Sequence, residues 1–278
     1  MPMRTILAIT GTTAGNDDLA LAKAMCEEAG VHLSVLIVEL APAPPTGEFA
    51  AMVSDGWIAE RQAGQKRLED RAAAVNAALA ASDVSADVAT AYPEIAWADE
   101  VVGRRGRYAD LTIAGPALLG DEVLGLRAVE GALFSSGSPV MIVPAGARPT
   151  ISPRRVLLAW DAGIEASRAM RAALDLLSSA DAVHLTLVDP VAGEDGHGEE
   201  PGADAAAFLA RHGCKVSVDR LPSGGKPIAD VLRQHAVDVA ADLIVMGAYG
   251  HSRLRERMFG GTTMSMLEDA TIPVLFAR

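Results

Sequence analysis

Asp242-Leu-Ile-Val-Met-Gly-Ala-Tyr-Gly250, followed after nine intervening residues by Gly260-Gly-Thr-Thr263, is the stretch on which the reading of this chain turns. Leu243 to Met246 is a short apolar run, the length of a strand buried on both faces of a parallel sheet. It ends in glycines, at the place where an α/β sheet puts its ligands, outside the carboxyl ends of its strands. Gly247 and Gly250 let backbone approach a ligand closely. Gly260-Gly261-Thr262-Thr263 stands where a helix begins, ahead of Met264, Met266 and Leu267. The free N–H groups and positive dipole end of a helix start suit phosphate. Two glycine turns on either side of a loop would hold the ribose and phosphates of a nucleotide.

Working outward, the chain reads as an internal duplication. Arg4-Thr-Ile-Leu-Ala-Ile-Thr10 and Arg155-Val-Leu-Leu-Ala-Trp-Asp161 open the halves, each followed by an alanine-rich helical stretch, 18–30 and 166–180. Second strands follow at His32 to Leu40 and Val183 to Asp189. A later strand opens on Asp-Leu in both halves, at Asp110 and Asp242, and both halves close on Pro-Val, at Pro139 and Pro273. Strands alternating with helices imply right-handed crossovers and a parallel sheet in each half. The expected fold is α/β: two tandem doubly wound parallel-sheet domains of five strands each. Their boundaries are 1–147 and 154–278, joined by a Pro/Gly-rich linker at 148–153.

Gly247-x-x-Gly250-(nine)-Gly260 resembles the G-x-x-G-(nine)-G-[S/T] signature of the universal stress proteins. Gly261 occupies the usual Ser/Thr place, and the first hydroxyl falls one residue later, at Thr262. The resemblance covers nearly the whole chain, by motif in the second half and by pattern in the first. It implies a stress-response protein that binds an adenine nucleotide, ATP or ADP with Mg²⁺ brought by the phosphates, in its C-terminal domain. Asp161 would contact the nucleotide, Val188 would lie beside the adenine, and Met246 would line the ribose. Gly247, Gly250, Gly260, Gly261 and Thr262 would cradle ribose and phosphates. In the first half Thr10 stands for Asp161, and Gly115 is followed by Pro116-Ala-Leu-Leu with no glycine three residues on, so that copy reads as a domain that has lost its site. Occupancy would order the loop between Gly250 and Gly260 and shift a conformational or partner-binding equilibrium. The partner is an unidentified protein, and pairing is either between two chains as a homodimer or between the halves of one chain.

Several residues carry a second reading. Asp161 serves equally as a cap for the following helix, and Gly247 and Gly250 as plain turn glycines. His251 to Arg257 reads first as a solvated basic face, with Arg253 and Arg257 one helical turn apart. Ser223-Gly-Gly-Lys226 is not a P-loop, because Pro227 follows the lysine; it reads as a turn with the proline opening a helix.

Composition narrows the function classes. A formal charge of −12 argues against nucleic acid. Half of the residues are apolar and only 4% are aromatic, so the cores must be aliphatic. No run approaches the ~18 apolar residues of a membrane span, and the N-terminus lacks a signal-peptide pattern; the expected location is the cytoplasm. Cys26 and Cys214 fall in different halves and read as idle thiols. The six histidines pair with no Ser, Cys or carboxylate at a motif spacing, so neither catalytic nor metal-binding residues are assigned. His197 and its acidic neighbours form a solvated loop. Two alternatives stay open: a nucleotide-independent interaction module with lapsed sites, and a slow ATPase of the related adenine-nucleotide hydrolase class.

Overall fold

The structure is a computed structural model that describes residues 3–45, 54–193, 199–248 and 261–278. It forms two compact units, one through Ser138 and one from Pro139. The first contains β1 (Thr5–Gly11), α1 (Asp17–Ala29), β2 (His32–Val38), α2 (Asp55–Ala80), β3 (Ala86–Ala91), α3 (Ala98–Gly106), β4 (Leu111–Ala114), α4 (Pro116–Leu119) and α5 (Leu124–Gly131). Its strands are parallel in the order β3-β2-β1-β4.

The second unit contains β5 (Val140–Ile142), β6 (Arg155–Ala159), α6 (Ile164–Ala172), α7 (Leu174–Ser179), β7 (Ala182–Val188), α8 (Ala203–Arg211), β8 (Val216–Leu221), α9 (Ile228–Asp238), β9 (Leu243–Gly247), α10 (Gly261–Asp269) and β10 (Val274–Ala277). The order is β5-β10-β9-β6-β7-β8, all parallel except β5, which runs antiparallel to β10.

The central strands are buried on both faces, as unbroken apolar runs require. Ile6, Leu7, Val156, Leu157, Leu158 and Val245 are fully inaccessible. Helices end where the sequence provides for it. Gly30, at φ +62°, closes α1 with its N–H on the Cys26 carbonyl, a left-handed cap that glycine adopts without strain.

The repeated Asp-Leu dipeptide now has a physical role. Asp110 Oδ2 accepts the N–H groups of Arg4 and Thr5 at 2.7 and 2.9 Å. Asp242 Oδ2 accepts those of Arg154 and Arg155 at 2.8 and 3.0 Å. Each carboxylate pins the start of one strand, β1 or β6, to its neighbour, β4 or β9.

These clamps correct one detail of the sequence alignment. Thr5 is the counterpart of Arg155, so Gly11, not Thr10, stands where Asp161 does. Chain order does give five strands to each half, but the compact units hold four and six. The strand at Val140–Ile142 pairs with β10 and is buried there to 1% exposure or less. The unit boundary therefore falls upstream of the 148–153 linker. Pro227 sits at the cap of α9 rather than inside it. No helix among the described residues is long and apolar enough to cross a membrane.

The two cysteines are free and buried, one in each unit. Burial pushes the Cys26 thiol up to about 12 and moves Cys214 in the same direction.

In the first unit, the end of β4 is closed from inside. Asp18, on α1, is 4% exposed, and its carboxylate accepts the N–H groups of Ala117 and Leu118 at 3.0 and 2.8 Å. Those amides open α4, so a resident carboxylate occupies the place where an anion would dock. A β-carbon on Gly115 would collide with it. Asp18→Ala removes two charge-assisted bonds and strands an amide in the interior. Bonds to charged groups are worth about 1.5–3 kcal/mol each. We expect the first transition in urea to move down by about 2–3 kcal/mol, and an unchanged midpoint would refute this account.

Candidate functional site

In the second unit β6 lies between β9 and β7. From β6 the chain winds to β7 and β8 on one side and later to β9 and β10 on the other. The carboxyl ends of β6 and β9 therefore border the point where the winding reverses, which is where open α/β sheets bind ligands.

Asp161 lies just past β6, at this edge. Its Oδ1 accepts the N–H of Gly163, the cap of α6, at 2.8 Å. Between them Ala162 is held at φ +62°, a conformation that a β-carbon disfavours and that folded structures keep mainly at turns and functional sites. Gly163 itself is the cap of α6 and no side chain caps the helix, so Asp161 closes a turn ahead of the helix and does not cap it. The side chain is exposed at the strand edge, so the turn does not remove it from a ligand's reach.

Gly247 ends β9 directly behind the first turn of α6. A β-carbon there would lie 2.5 Å from the Ala166 amide nitrogen and 2.6 Å from the Glu165 carbonyl carbon. This glycine is required by the protein's own backbone, whatever else binds nearby. Met246, 6% exposed, precedes it. Val188, half-buried, ends β7 on the far side of β6. The next residue, Asp189, accepts the Ser223 N–H at 2.9 Å and ties the ends of β7 and β8 together. Hydrogen bonds from the Ser223 hydroxyl and amide hold its carboxyl below the ordinary carboxylate range.

Gly261 and Thr262 open α10, as the apolar spacing anticipates. That helix is tied to α9 by Arg233, whose guanidinium donates to the Ser265 carbonyl at 2.9 Å. No described atom comes within 4 Å of a β-carbon at Gly261. Asp161 and Gly247 are thus gathered around the start of α6, while Met246 and Val188 end the strands flanking β6. Gly250, Gly260 and the basic run from His251 to Arg257 lie outside the described residues.

The fold also joins residues that sequence spacing left apart. His184 on β7, Asp219 on β8 and His235 on α9 converge, with Asp219 Oδ2 2.9 Å from His184 Nδ1 and 2.8 Å from His235 Nε2. Burial alone would raise the Asp219 carboxyl, but the bonds from His235 and His184 outweigh it and keep the group below the usual range. A related cluster stands in the first unit: His32 contacts Ser85 at 2.8 Å and Asp87 at 2.9 Å, and Asp87 also pairs with Arg105. The available signal was a repeat, Ser85-Ala-Asp87 and Ser217-Val-Asp219, each beside a strand carrying a histidine.

Residues 153–278 match the model of the universal stress protein family. The match covers 126 of the 278 residues, all of them in the second half. A universal stress protein of Synechocystis is 36% identical over 74 residues, which span 27% of this chain and only 25% of that protein. A universal stress protein from Archaeoglobus fulgidus superposes over 99% of this chain and 96% of its own, with a TM-score of 0.67 and 20% identity. A candidate universal stress protein from Pseudomonas aeruginosa covers 99% and 93%, with a TM-score of 0.55 and 17% identity. At such identities the likeness establishes the fold, and it extends over the residues of both units.

Gly247 and Gly261 should respond oppositely to a methyl group. Overpacking of a tight contact costs about 1–3 kcal/mol, so Gly247→Ala should lower the thermal midpoint by several degrees. Gly261→Ala should leave it unchanged or raise it, because the added carbon meets open space and glycine is a poor helix residue. Equal midpoints for both variants would contradict the packing described.

Proposed function

We propose that the second unit binds one adenine nucleotide, ATP or ADP, at the edge bordered by β6, β7 and β9, and that occupancy regulates a conformational or partner-binding equilibrium. The observation that carries this reading is the placement of Asp161 and Gly247 around the first turn of α6, at the reversal of the winding. Adenine would lie towards Val188, ribose towards Met246 and Asp161, and phosphates towards Gly247, Gly250 and the start of α10 at Gly260, Gly261 and Thr262. No described atom comes within 4 Å of a β-carbon at Gly261, and amides at a helix start supply donors without any side chain. When bound, the nucleotide supplies negative charge and a Mg²⁺ chelate. The chain's own residues bind and orient it, with amides at the start of α10 as donors and Asp161 as an acceptor at the strand edge. Binding of this kind moves an equilibrium only by its difference in affinity for the two states.

One observation favours a lapsed site instead. Glu165 stands against Gly247 only through its backbone and Cβ, but it carries a carboxylate on the first turn of α6, and negative charge at that turn would compete with phosphate. Calorimetry of the full chain with MgATP separates the two readings. We expect one site per chain, weakened at least tenfold by Asp161→Ala. Gly261→Ser should tighten binding by about tenfold or less, since one bond to a charged group yields ~1.5–3 kcal/mol before the cost of ordering the side chain. No binding by the parent, with binding restored by Glu165→Gln or Gly261→Ser, would establish the lapsed site.

A further inference from the structure

We propose that His184, Asp219 and His235 form a site for a divalent transition metal of the zinc class. The site stands between α9 and the face of the sheet formed by β7 and β8, independent of any nucleotide. Its donors are two imidazole nitrogens and one carboxylate oxygen from three different elements, all within 4.8 Å of one another. Such a set suits Zn²⁺, Co²⁺ or Ni²⁺, whereas Mg²⁺ and Ca²⁺ take oxygen ligands.

The geometry is close to what an ion needs. Both rings aim a nitrogen at the same atom, Asp219 Oδ2, at 2.9 and 2.8 Å. Metal–ligand bonds of ~2.0–2.1 Å in a tetrahedral site put donors about 3.3 Å apart, so an ion requires each nitrogen–oxygen separation to open by about half an ångström. The rings already stand edge to face, 6.2 Å between centroids. On binding, each imidazole moves its N–H to its other nitrogen and turns the freed lone pair to the ion, so no redox partner or leaving group is needed.

Three protein ligands leave a coordination position open, the arrangement of sites that bind water or a substrate. Access is available, since the three side chains are 15–23% exposed. His235 also lines a cleft of about 590 Å³ together with Leu221, Ser223, Lys226 and Asp230.

The first unit supplies an internal contrast. There the histidine and aspartate lie in the same relation on neighbouring strands, with Asp87 opposite Ser34 as Asp219 is opposite Thr186. The cluster sits two residues nearer the strand start, His32 facing Thr5 where His184 faces Leu157. Its third member is Arg105 on α3, a cation that cannot ligate a metal. Asp87 is thereby neutralised by the chain itself. Asp219 has no Arg or Lys partner among the described residues; its only ion-pair partners there are the two histidines.

The test uses the full chain after chelator treatment, titrated with Zn²⁺ by calorimetry and with Co²⁺ by visible absorption. We expect one equivalent bound, with the d–d bands of a four- or five-coordinate Co²⁺ site. His235→Arg copies the first unit's arrangement and keeps Asp219 paired. It should retain the parent's circular dichroism, abolish the bands and weaken Zn²⁺ about 100-fold or more, beyond the ~10–100-fold that loss of an outer-shell partner costs. Should that variant not fold, His184→Gln is read in the same way. His32→Gln should leave Zn²⁺ affinity unchanged. Absence of stoichiometric binding by the parent, or binding unaffected by loss of either ligand histidine, would overturn the proposal and leave the cluster as a hydrogen-bonded brace.

Discussion

The second unit depends on a contact that admits no side chain. Gly247 must be bare for the first turn of α6 to lie on the end of β9. A carbon placed there would stand 2.5 Å from a backbone nitrogen, and backbone cannot swing aside as a flexible side chain can. The helix that leaves β6 is consequently anchored at the edge of β9. With it come the left-handed turn at Ala162, the hydrogen bond from Gly163 to Asp161, and the exposure of that carboxylate at the strand edge. The first unit obeys the same constraint at Gly115, with the carboxylate of Asp18 as the close neighbour. Close packing of interiors gives such a contact two outcomes, fit or displacement, with little between.

Much of this was legible in the sequence. The strands announced themselves as apolar runs of the length that parallel sheets bury, and the repeated Asp-Leu marked equivalent strands because the aspartate performs the same clamp twice. The shared opening of the halves was read one residue out of register, because the Arg-led match at Arg4 and Arg155 ignores which amides the clamps hold. What stayed hidden was tertiary. Nothing local in Val140 to Ile142 says that its strand belongs against β10, since three apolar residues suit either sheet edge. The motif glycine at Gly247 looked like a ligand position, and the coordinates add a packing duty that no spacing rule encodes. The histidines stayed silent because His184, Asp219 and His235 come from three elements, and only the pairing of β7 with β8 under α9 closes the distances.

The two units use one plan for different ends. At the end of β4 the first unit sets the carboxylate of Asp18 against Gly115, whereas at the end of β9 the second sets the backbone of α6 against Gly247. Where the second sets two imidazoles around Asp219, the first matches Asp87 with Arg105. In the second comparison the first unit neutralises its carboxylate with a guanidinium, and the second leaves its carboxylate to imidazoles. Self-satisfied charges favour stability, because a buried carboxylate with full partners loses nothing to solvent. Charges that retain a free valence favour recognition. A duplicated chain can hold both solutions at once.

The sealed thiols bear on how such a chain can be observed. Each unit holds one cysteine, Cys26 or Cys214, and both are buried. A thiol that ionises only with difficulty is a poor nucleophile while the protein stays closed. Alkylation of either sulfur therefore waits for its surroundings to open, and two native atoms become separate clocks for two halves of one molecule. If ligand occupancy tightens only the second half, the Cys214 clock alone should slow.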